Sequence, residues 1–204
     1  MLGEEHEADA ATEYLLAFDY APTDEKALAN RARAFLLLRR LQHGLDACEE
    51  GLAVYPNSSI IWALKLNARQ LLKHERPDEG LPEAVSGTSD VLYVLSLIRQ
   101  HQGNHEEAYK LAHRQYEIDK TSTESKRSIL VAALSWATAD QVRAHFRHLS
   151  NQQRSALKEA LKCLEPIEDT IEGIQRPTVF HEIASNAAVA LQLLGDEKRA
   201  QTLV

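Results

Sequence analysis

Residues 25–56 read EKALANRARAFLLLRRLQHGLDACEEGLAVYP, and this stretch contains the pattern that decides the fold. Alanines and large apolar residues recur every three or four positions in its first half, which is typical of a helix with one buried face. A second helical pattern follows and ends at Pro56, because proline lacks the backbone donor that a helix needs. The stretch therefore predicts two helices joined by a short turn.

Four residues of the second helical pattern recur at a period of 34 residues. The pairs are Ala10 and Gly44, Tyr14 and Cys48, Ala17 and Gly51, and Pro22 and Pro56. A period of this length is typical of proteins that stack helix pairs side by side, and such proteins usually present an extended surface to a partner. Small residues at recurring positions let two helices approach closely, so we expect these positions to be intolerant of larger side chains.

These positions resemble the tetratricopeptide repeat (TPR) family. The large, small and aromatic residues that the family has in its first helix are matched by Leu28, Ala32 and Phe35. The small and bulky residues of its second helix are matched by Gly44, Cys48 and Gly51, and its closing proline is matched by Pro56. The resemblance implies an all-α fold, a right-handed α-solenoid of antiparallel helix pairs. It is specific for fold and carries little information on function.

Extending the repeat along the chain predicts one domain over residues 1–204. Its parts are a half repeat at 1–24, repeats at about 25–58, 59–88 and 89–122, divergent helices over 123–176, and a partial repeat at 178–204. Both ends fall inside a repeat, so we expect the chain to be a segment of a larger protein.

Three local signals refine this organisation. Residues 76–82 read RPDEGLP, and two prolines and a glycine there predict the least regular backbone, between Lys73 and Thr88. Gly103 and Asn104 predict a turn between two helices, and Ser150 reads as a helix cap. Helical periodicity continues over 125–137, 139–149 and 152–164. A polar segment with Pro166 and Gly173 then precedes a last pattern, whose small residues are Ala184, Ala187, Ala188 and Ala200.

The composition disfavours two classes of partner. Lys and Arg total 23 against 30 Asp and Glu, which gives a net charge of −7, and no basic run stands above this background. We therefore predict no nucleic-acid partner, because a surface that follows a phosphate backbone needs clustered cations. Apolar runs such as residues 34–38 and 129–134 are far shorter than the ~20 residues that span a bilayer, so we predict no membrane partner.

Two features indicate a cytoplasmic protein. The first residues, MLGEEHE, are acidic and lack the basic and apolar regions of a signal peptide. The two cysteines, Cys48 and Cys163, are too few and too far apart to suggest a disulfide framework. A reducing compartment is the simpler assumption.

The candidate chemical residues have simpler structural interpretations. Of the nine histidines, His101 and His105 are separated by the predicted turn, and His145 and His148 lack the further ligands that zinc requires. Cys48 occupies the bulky position of the second helix, where a buried apolar residue is expected. No phosphate loop, catalytic triad order or carboxylate pair stands out. We therefore predict no metal, no cofactor and no enzymatic activity.

The family resemblance also implies a concave groove lined by the first helix of each repeat. Carried onto this chain, the groove residues are Lys26, Ala29, Arg33 and Leu37, then Ile60, Ala63, Asn67 and Gln70, then Tyr93, Leu97, Gln100 and His101. This lining is mixed and substantially apolar. The alternative is that some of its apolar side chains pack against neighbouring helices instead.

The groove residues favour one kind of partner. Family members that hold the carboxyl terminus of a chaperone use a cluster of Lys, Asn and Arg, and here only Asn67 with Lys26 or Arg33 could take part. The groove therefore lacks the full cluster that holds a terminal carboxylate. We expect instead an amphipathic helix or an extended apolar peptide, from another protein or from another domain of the same chain.

The sequence thus favours a protein–protein interaction scaffold that binds a peptide or helix in its concave groove. The alternative is the regulatory or substrate-recruiting TPR region of a larger enzyme whose catalytic domain lies outside this segment. RNA recognition by a related helical repeat would need basic groove positions and a base-reading pair in each repeat, and neither is found.

Overall fold

Every regular element in the described part of the chain is an α-helix. A computed structural model describes residues 2–139, 149–165 and 177–203. The helices are α1 (Leu2–Tyr20), α2 (Glu25–Leu37), α3 (Leu41–Val54), α4 (Ser59–Leu71), α5 (Glu83–Ser86), α6 (Ser89–His101), α7 (His105–Ile118), α8 (Thr123–Ala139), α9 (Asn151–Cys163), α10 (Pro177–Leu194) and α11 (Glu197–Thr202). The prediction of an all-α fold is confirmed for these residues.

The helices belong to two compact units, Met1–Ile98 and Arg99–Val204. In the first unit α2 packs against α1, α3 and α4, and α3 also packs against α4. In the second unit α8 packs against α7, α9 and α10, and α11 packs against α10. Consecutive helices therefore pack in pairs, and α2 also packs against α4, as a stack of helix pairs requires. The handedness of the stack, the antiparallel arrangement and the single domain stay predictions.

The first repeat begins at a capped helix and closes over a small-residue core. The Asp24 carboxylate accepts hydrogen bonds from the backbone N–H groups of Lys26 and Ala27, at 2.9 and 3.1 Å, which satisfies donors that a helix start leaves free. Leu28, Ala32, Ala47, Cys48 and Ile61 then form part of one buried cluster. The prediction that Cys48 is a core residue is confirmed, because its side chain is completely buried.

Two glycines set the distance of α3 from its neighbours. A Cβ atom added to Gly44 would lie 2.7 Å from Leu36 Cδ2 and 3.0 Å from Leu36 Cγ. A Cβ atom added to Gly51 would lie 2.9 Å from Ile61 Cδ1 and 3.6 Å from Leu28 Cβ. Leu36 and Leu28 belong to α2 and Ile61 to α4, so α3 approaches both helices as closely as its backbone allows. The expected role of these two small residues is confirmed.

Two small residues of the preceding half repeat do not lie at the close helix approach that the sequence predicts for them. Ala17 is exposed and Ala10 is half-buried, whereas Ala11 is 1 % exposed. Phe18 packs against the buried cluster of α2 and α3. Residues 34 positions after Ala11 and Phe18 are Leu45, which is buried, and Leu52, which packs against the same cluster, so the 34-residue period holds at these positions while Ala17 faces solvent.

The irregular segment is confirmed, and a side chain of α4 donates a hydrogen bond to its backbone. Between Leu71 and Ser89 the structure has no helix longer than the four residues of α5. The Arg69 guanidinium donates to the backbone carbonyl of Glu79 at 2.7 Å, and Val85 is almost completely buried. A charged donor and one apolar anchor therefore fix a segment whose prolines prevent a second helix.

Four helices end in the same backbone motif, with one residue in the left-handed conformation. In these four motifs the residues with positive φ are Arg39 (57°), Lys73 (61°), Gly103 (79°) and Gly195 (86°), which follow α2, α4, α6 and α10. Each donates its N–H to the carbonyl three residues earlier, and the next residue donates to the carbonyl five residues earlier. This is the Schellman motif. Glycine adopts the conformation freely, whereas a residue with a Cβ atom is strained by on the order of 1 kcal/mol.

In the described residues of the second unit, the helices predicted beyond residue 122 are confirmed. Ser150 caps α9 in a capping box with Gln153, whose side-chain amide also donates to the Trp136 carbonyl of α8 at 2.8 Å. Ala184, Ala187, Ala188 and Ala200 are buried, as the last pattern predicts. The helix predicted at 139–149 and the polar segment with Pro166 and Gly173 lie outside the described residues, except for their edges.

Replacing Gly44 with alanine is expected to lower the free energy of unfolding by about 1 kcal/mol. Overpacking a buried site costs ~1–3 kcal/mol, and the better helix propensity of alanine offsets about 1 kcal/mol of that cost. Gly51→Ala is the matched control, since its one contact below 3.0 Å is with the terminal methyl group of Ile61 at 2.9 Å, a milder overlap than the 2.7 Å at Gly44. Urea unfolding followed by circular dichroism measures both variants. A Gly51→Ala variant less stable than Gly44→Ala would contradict this account of the packing.

Candidate interaction surface

The twelve predicted groove residues lie on three helices. α2 carries Lys26, Ala29, Arg33 and Leu37, α4 carries Ile60, Ala63, Asn67 and Gln70, and α6 carries Tyr93, Leu97, Gln100 and His101. Spacings of three and four residues place each set along one side of its helix. Ten of the twelve lie in the first unit, because Gln100 and His101 fall after its boundary at Ile98.

Two of the predicted groove residues are core residues instead. Ala29 is 2 % exposed and Ala63 is 9 % exposed. Ala29 belongs to the buried cluster that α2 and α3 share. A short side chain on the groove side of a helix is covered by the larger residues beside it, and spacing alone does not show this. The prediction that Ala29 and Ala63 offer an accessible lining is therefore wrong.

Arg33 is directed towards α1. Its guanidinium carbon lies 5.5 Å from the centre of the Tyr14 ring, and its Nη1 atom donates to the Asn30 side-chain oxygen at 3.2 Å. A guanidinium over an aromatic face is attracted by the ring's electrons. Arg33 is thus held in place, and a carboxylate ligand would compete with the Tyr14 contact. Lys26 is exposed.

The remaining groove residues of the first unit form a partly exposed surface that we call the binding stripe. It consists of Lys26, Arg33, Leu37, Ile60, Asn67, Gln70, Tyr93 and Leu97. All of them are half-buried except Lys26, which is exposed. The stripe runs over helices that are linked side by side, since α2 packs against α4 and the Ser59 hydroxyl of α4 donates to the Asp90 carboxylate of α6 at 2.9 Å.

The stripe combines apolar area with unused amides. Leu37 and Ile60 expose part of their side chains, whereas the Asn67 and Gln70 side chains have no hydrogen bond within the described part of the first unit. A side-chain amide can both donate to and accept from a peptide backbone. Such a surface suits a peptide or helix that presents apolar side chains together with backbone polar groups.

A second group of residues, which the sequence did not indicate, lies in the second unit. The Tyr109 hydroxyl donates to Glu159 Oε2 at 2.6 Å, and His113 Nε2 lies 3.0 Å from Glu159 Oε1. We call these three residues the polar clamp, because they join α7 to α9. The Trp136 ring lies 5.7 Å from the Tyr109 ring and closes one side. Tyr109 and His113 are four residues apart, a spacing that places them on one helix face, but sequence gives no sign of their partner 46 positions from His113.

The ionisation of these groups follows from their contacts. The Tyr109 hydrogen bond holds the pKa of the Glu159 carboxyl below its ordinary value, and His113 adds to this effect. Burial, and then the hydrogen bond to Glu159, raises the pKa of Tyr109 well above its ordinary value. Near neutral pH the clamp therefore holds a carboxylate and a protonated phenol, which is a stable hydrogen-bonded pair.

Both cysteines are kept as thiols. Burial raises the pKa of Cys48 to about 12. Burial also raises the pKa of Cys163, although its hydrogen bond with Tyr116 opposes the shift. Because the thiolate is the nucleophilic form, neither residue is activated for catalysis by its surroundings.

Two of the remaining candidate histidines, His101 and His105, lie in the described part of the chain. His101 ends α6 and His105 begins α7, so they do not share a helix, and His105 Nδ1 lies 2.9 Å from the Ser135 hydroxyl. His145 and His148 lie outside the described residues. Among the residues that the structure describes, no group of three or more His, Cys, Asp or Glu side chains could hold a metal ion. No helix in the described ranges combines the length and apolarity that crossing a membrane requires.

No family model matches the chain, and no curated protein matches it. The TPR resemblance therefore stays a prediction.

Replacing Tyr109 with phenylalanine is expected to destabilise the protein by about 1 kcal/mol at neutral pH. A hydrogen bond to a charged group contributes ~1.5–3 kcal/mol, and solvent around the half-exposed Glu159 reduces this value. Because the carboxyl pKa is lowered in the folded state, the contribution is present above the unfolded pKa of about 4.3. It is lost as the pH falls through the lower, folded-state pKa.

Urea unfolding of the parent protein and of Tyr109→Phe, at neutral pH and at about pH 3, measures this difference. Tyr14→Phe is the control, since Tyr14 contacts Arg33 through its ring. A stability gap that does not narrow in acid would show that the Tyr109 hydroxyl acts independently of the Glu159 charge.

Proposed function

We propose that this chain is a protein–protein interaction scaffold with a TPR-like, right-handed stack of antiparallel helix pairs. The binding stripe on α2, α4 and α6 would hold an amphipathic helix or an extended apolar segment of a partner. The observation that carries this proposal is the packing of α2 directly against α4 while α3 fills the space beside both. In a stack of this kind the first helices share one continuous face.

The chemistry of the stripe supports an apolar partner over an acidic one. Arg33 is already held against Tyr14, and Lys26 is exposed at the first turn of α2. Exposed charges at a rim contribute little to affinity, whereas buried apolar anchors usually dominate it. Leu37, Ile60 and Leu97 are the side chains that a partner would bury.

Replacing Leu97 with aspartate is expected to weaken the partner by about tenfold or more, because a buried anchor typically contributes ≥ 1.4 kcal/mol. Lys26→Ala should weaken it by less than about threefold, and affinity should fall only modestly with added salt. Circular dichroism checks that each variant is folded. A steep salt dependence together with a large effect of Lys26→Ala would mean that the partner is acidic and that the stripe is misassigned.

The partner for that measurement can be found by site-specific photocrosslinking in the cells that make the protein. A photoreactive residue at Asn67 lies on the stripe, and one at Val54 lies on α3, where the native side chain is 59 % exposed. We expect a protein adduct at position 67 and none at position 54. The adduct at 67 should disappear when Leu97 is replaced with aspartate. An adduct at 54 alone would place the interaction on the opposite side of the repeat.

The same experiment distinguishes the regulatory alternative. A crosslink from position 67 to another part of the same polypeptide would favour a TPR region that regulates, or recruits substrate to, its own protein. A crosslink to a separate protein favours the scaffold. Neither proposal involves a metal, a cofactor, nucleic acid or a membrane, and the proposed compartment is the cytoplasm.

A further inference from the structure

The turns after α2 and α4 differ from the other two Schellman turns in one respect. Where α6 and α10 are followed by glycine in the left-handed conformation, α2 and α4 are followed by Arg39 and Lys73. The two residues are 34 positions apart and so occupy the same place in successive repeats. Two equivalent positions thus carry a strained, basic residue where glycine would be unstrained.

The helix dipole does not explain this choice. A cation near the end of a helix is attracted by the partial negative charge of the last carbonyls. That attraction is equally available to a residue inside the last turn, where the backbone is relaxed. The last turn of α2 contains no basic residue, whereas that of α4 already contains Arg69, so the dipole does not require Lys73 at a strained position. Strained positions that the surrounding structure tolerates occur most often where function requires the side chain.

The two turns lie on one edge of the first unit. Leu41, which follows the first turn, and Leu72, which precedes Lys73, both pack against the buried cluster of Leu36, Leu45 and Ala68. Both turns are therefore anchored to the same buried cluster.

The surface of this edge is basic and apolar. Arg39, Arg40 and Lys73 are exposed, and the described part of the first unit provides no ion pair for any of them. Leu38 is 37 % exposed and Leu71 is 39 % exposed. We call these five residues the basic edge. Unpaired cations beside exposed leucines are unusual on a chain whose net charge is −7.

We propose that the basic edge docks an acidic, leucine-containing segment of a partner protein. Carboxylates of that segment would pair with the three cations, and its leucines would cover Leu38 and Leu71. A nucleic acid fits less well, because exposed leucines offer nothing to a phosphate backbone and the negative chain would repel a polyanion. The basic edge adjoins the binding stripe at Leu38 and Leu71 but shares no residue with it, and each surface has its own probe and variants, so either proposal can fail without the other.

The test uses the full chain and a fluorescent synthetic peptide in which glutamates and leucines share one helix. Two comparison peptides have lysine in place of every glutamate, or serine in place of every leucine. A single-stranded oligonucleotide of the same charge serves as the competing ligand. Fluorescence anisotropy at low and physiological salt gives the dissociation constants. We expect the glutamate–leucine peptide to bind most tightly and to weaken as salt is added.

Three paired variants separate charge from strain. Arg39→Gln with Lys73→Gln removes the charges and keeps the strained backbone, and it should weaken the peptide at least about fivefold. Arg39→Gly with Lys73→Gly should weaken it equally and raise the melting temperature, because the strain is also removed. Arg114→Gln with Lys198→Gln removes the same two positive charges at exposed positions of the second unit, and it should leave peptide binding unchanged.

Four results would overturn the proposal. The first is that the Arg114→Gln and Lys198→Gln variant weakens peptide binding as much as the Arg39→Gln and Lys73→Gln variant does. The second and third are that the serine peptide binds as tightly as the glutamate–leucine peptide, or that the oligonucleotide binds more tightly. The fourth is that the double glycine variant melts at a lower temperature than the parent protein. The last result would mean that the two cations stabilise their helix ends, which explains their presence without a partner.

Discussion

The first unit depends on the close approach of α3 to α2 and α4 at two positions without side chains. Gly44 leaves room for Leu36, and Gly51 leaves room for Ile61. Both neighbours are buried, so neither can move outward without opening the core. With α3 fixed between them, α2 and α4 can also pack on each other. The lateral contact of α2 with α4, and with it the binding stripe, follows from this constraint.

The same packing explains why sequence predicts the helices better than the surface. Gly44, Cys48 and Gly51 lie at the buried face of a helix, and their spacing of three and four residues predicts that face directly from the sequence. Groove positions carry no such signature. Ala29 and Ala63 match the family's groove spacing, yet they are covered by their neighbours, and Arg33 is drawn to the Tyr14 ring. Accessibility depends on which larger side chains lie alongside, and that is a property of the packed structure.

Other features of the structure could not be predicted from the sequence, for related physical reasons. Ala10 and Ala17 match the 34-residue period, but α1 is oriented by its contacts with α2, which bury Ala11 instead. The polar clamp joins residues far apart in sequence, and only the packing of α7, α8 and α9 brings them together. The left-handed conformation of Arg39 and Lys73 could not be predicted from the sequence, because a basic residue does not indicate a turn as glycine does.

The shifted pKa values follow from the packing of the helices. Active sites usually move a nucleophile's pKa towards neutrality, so that its reactive form is populated. Here burial raises the pKa values of Cys48, Cys163 and Tyr109, and each shift favours the protonated, unreactive form. The carboxyl group of Glu159 shifts in the opposite direction because it accepts the Tyr109 hydroxyl. These shifts arise from helix packing, because burial and the contacts between α7 and α9 set them.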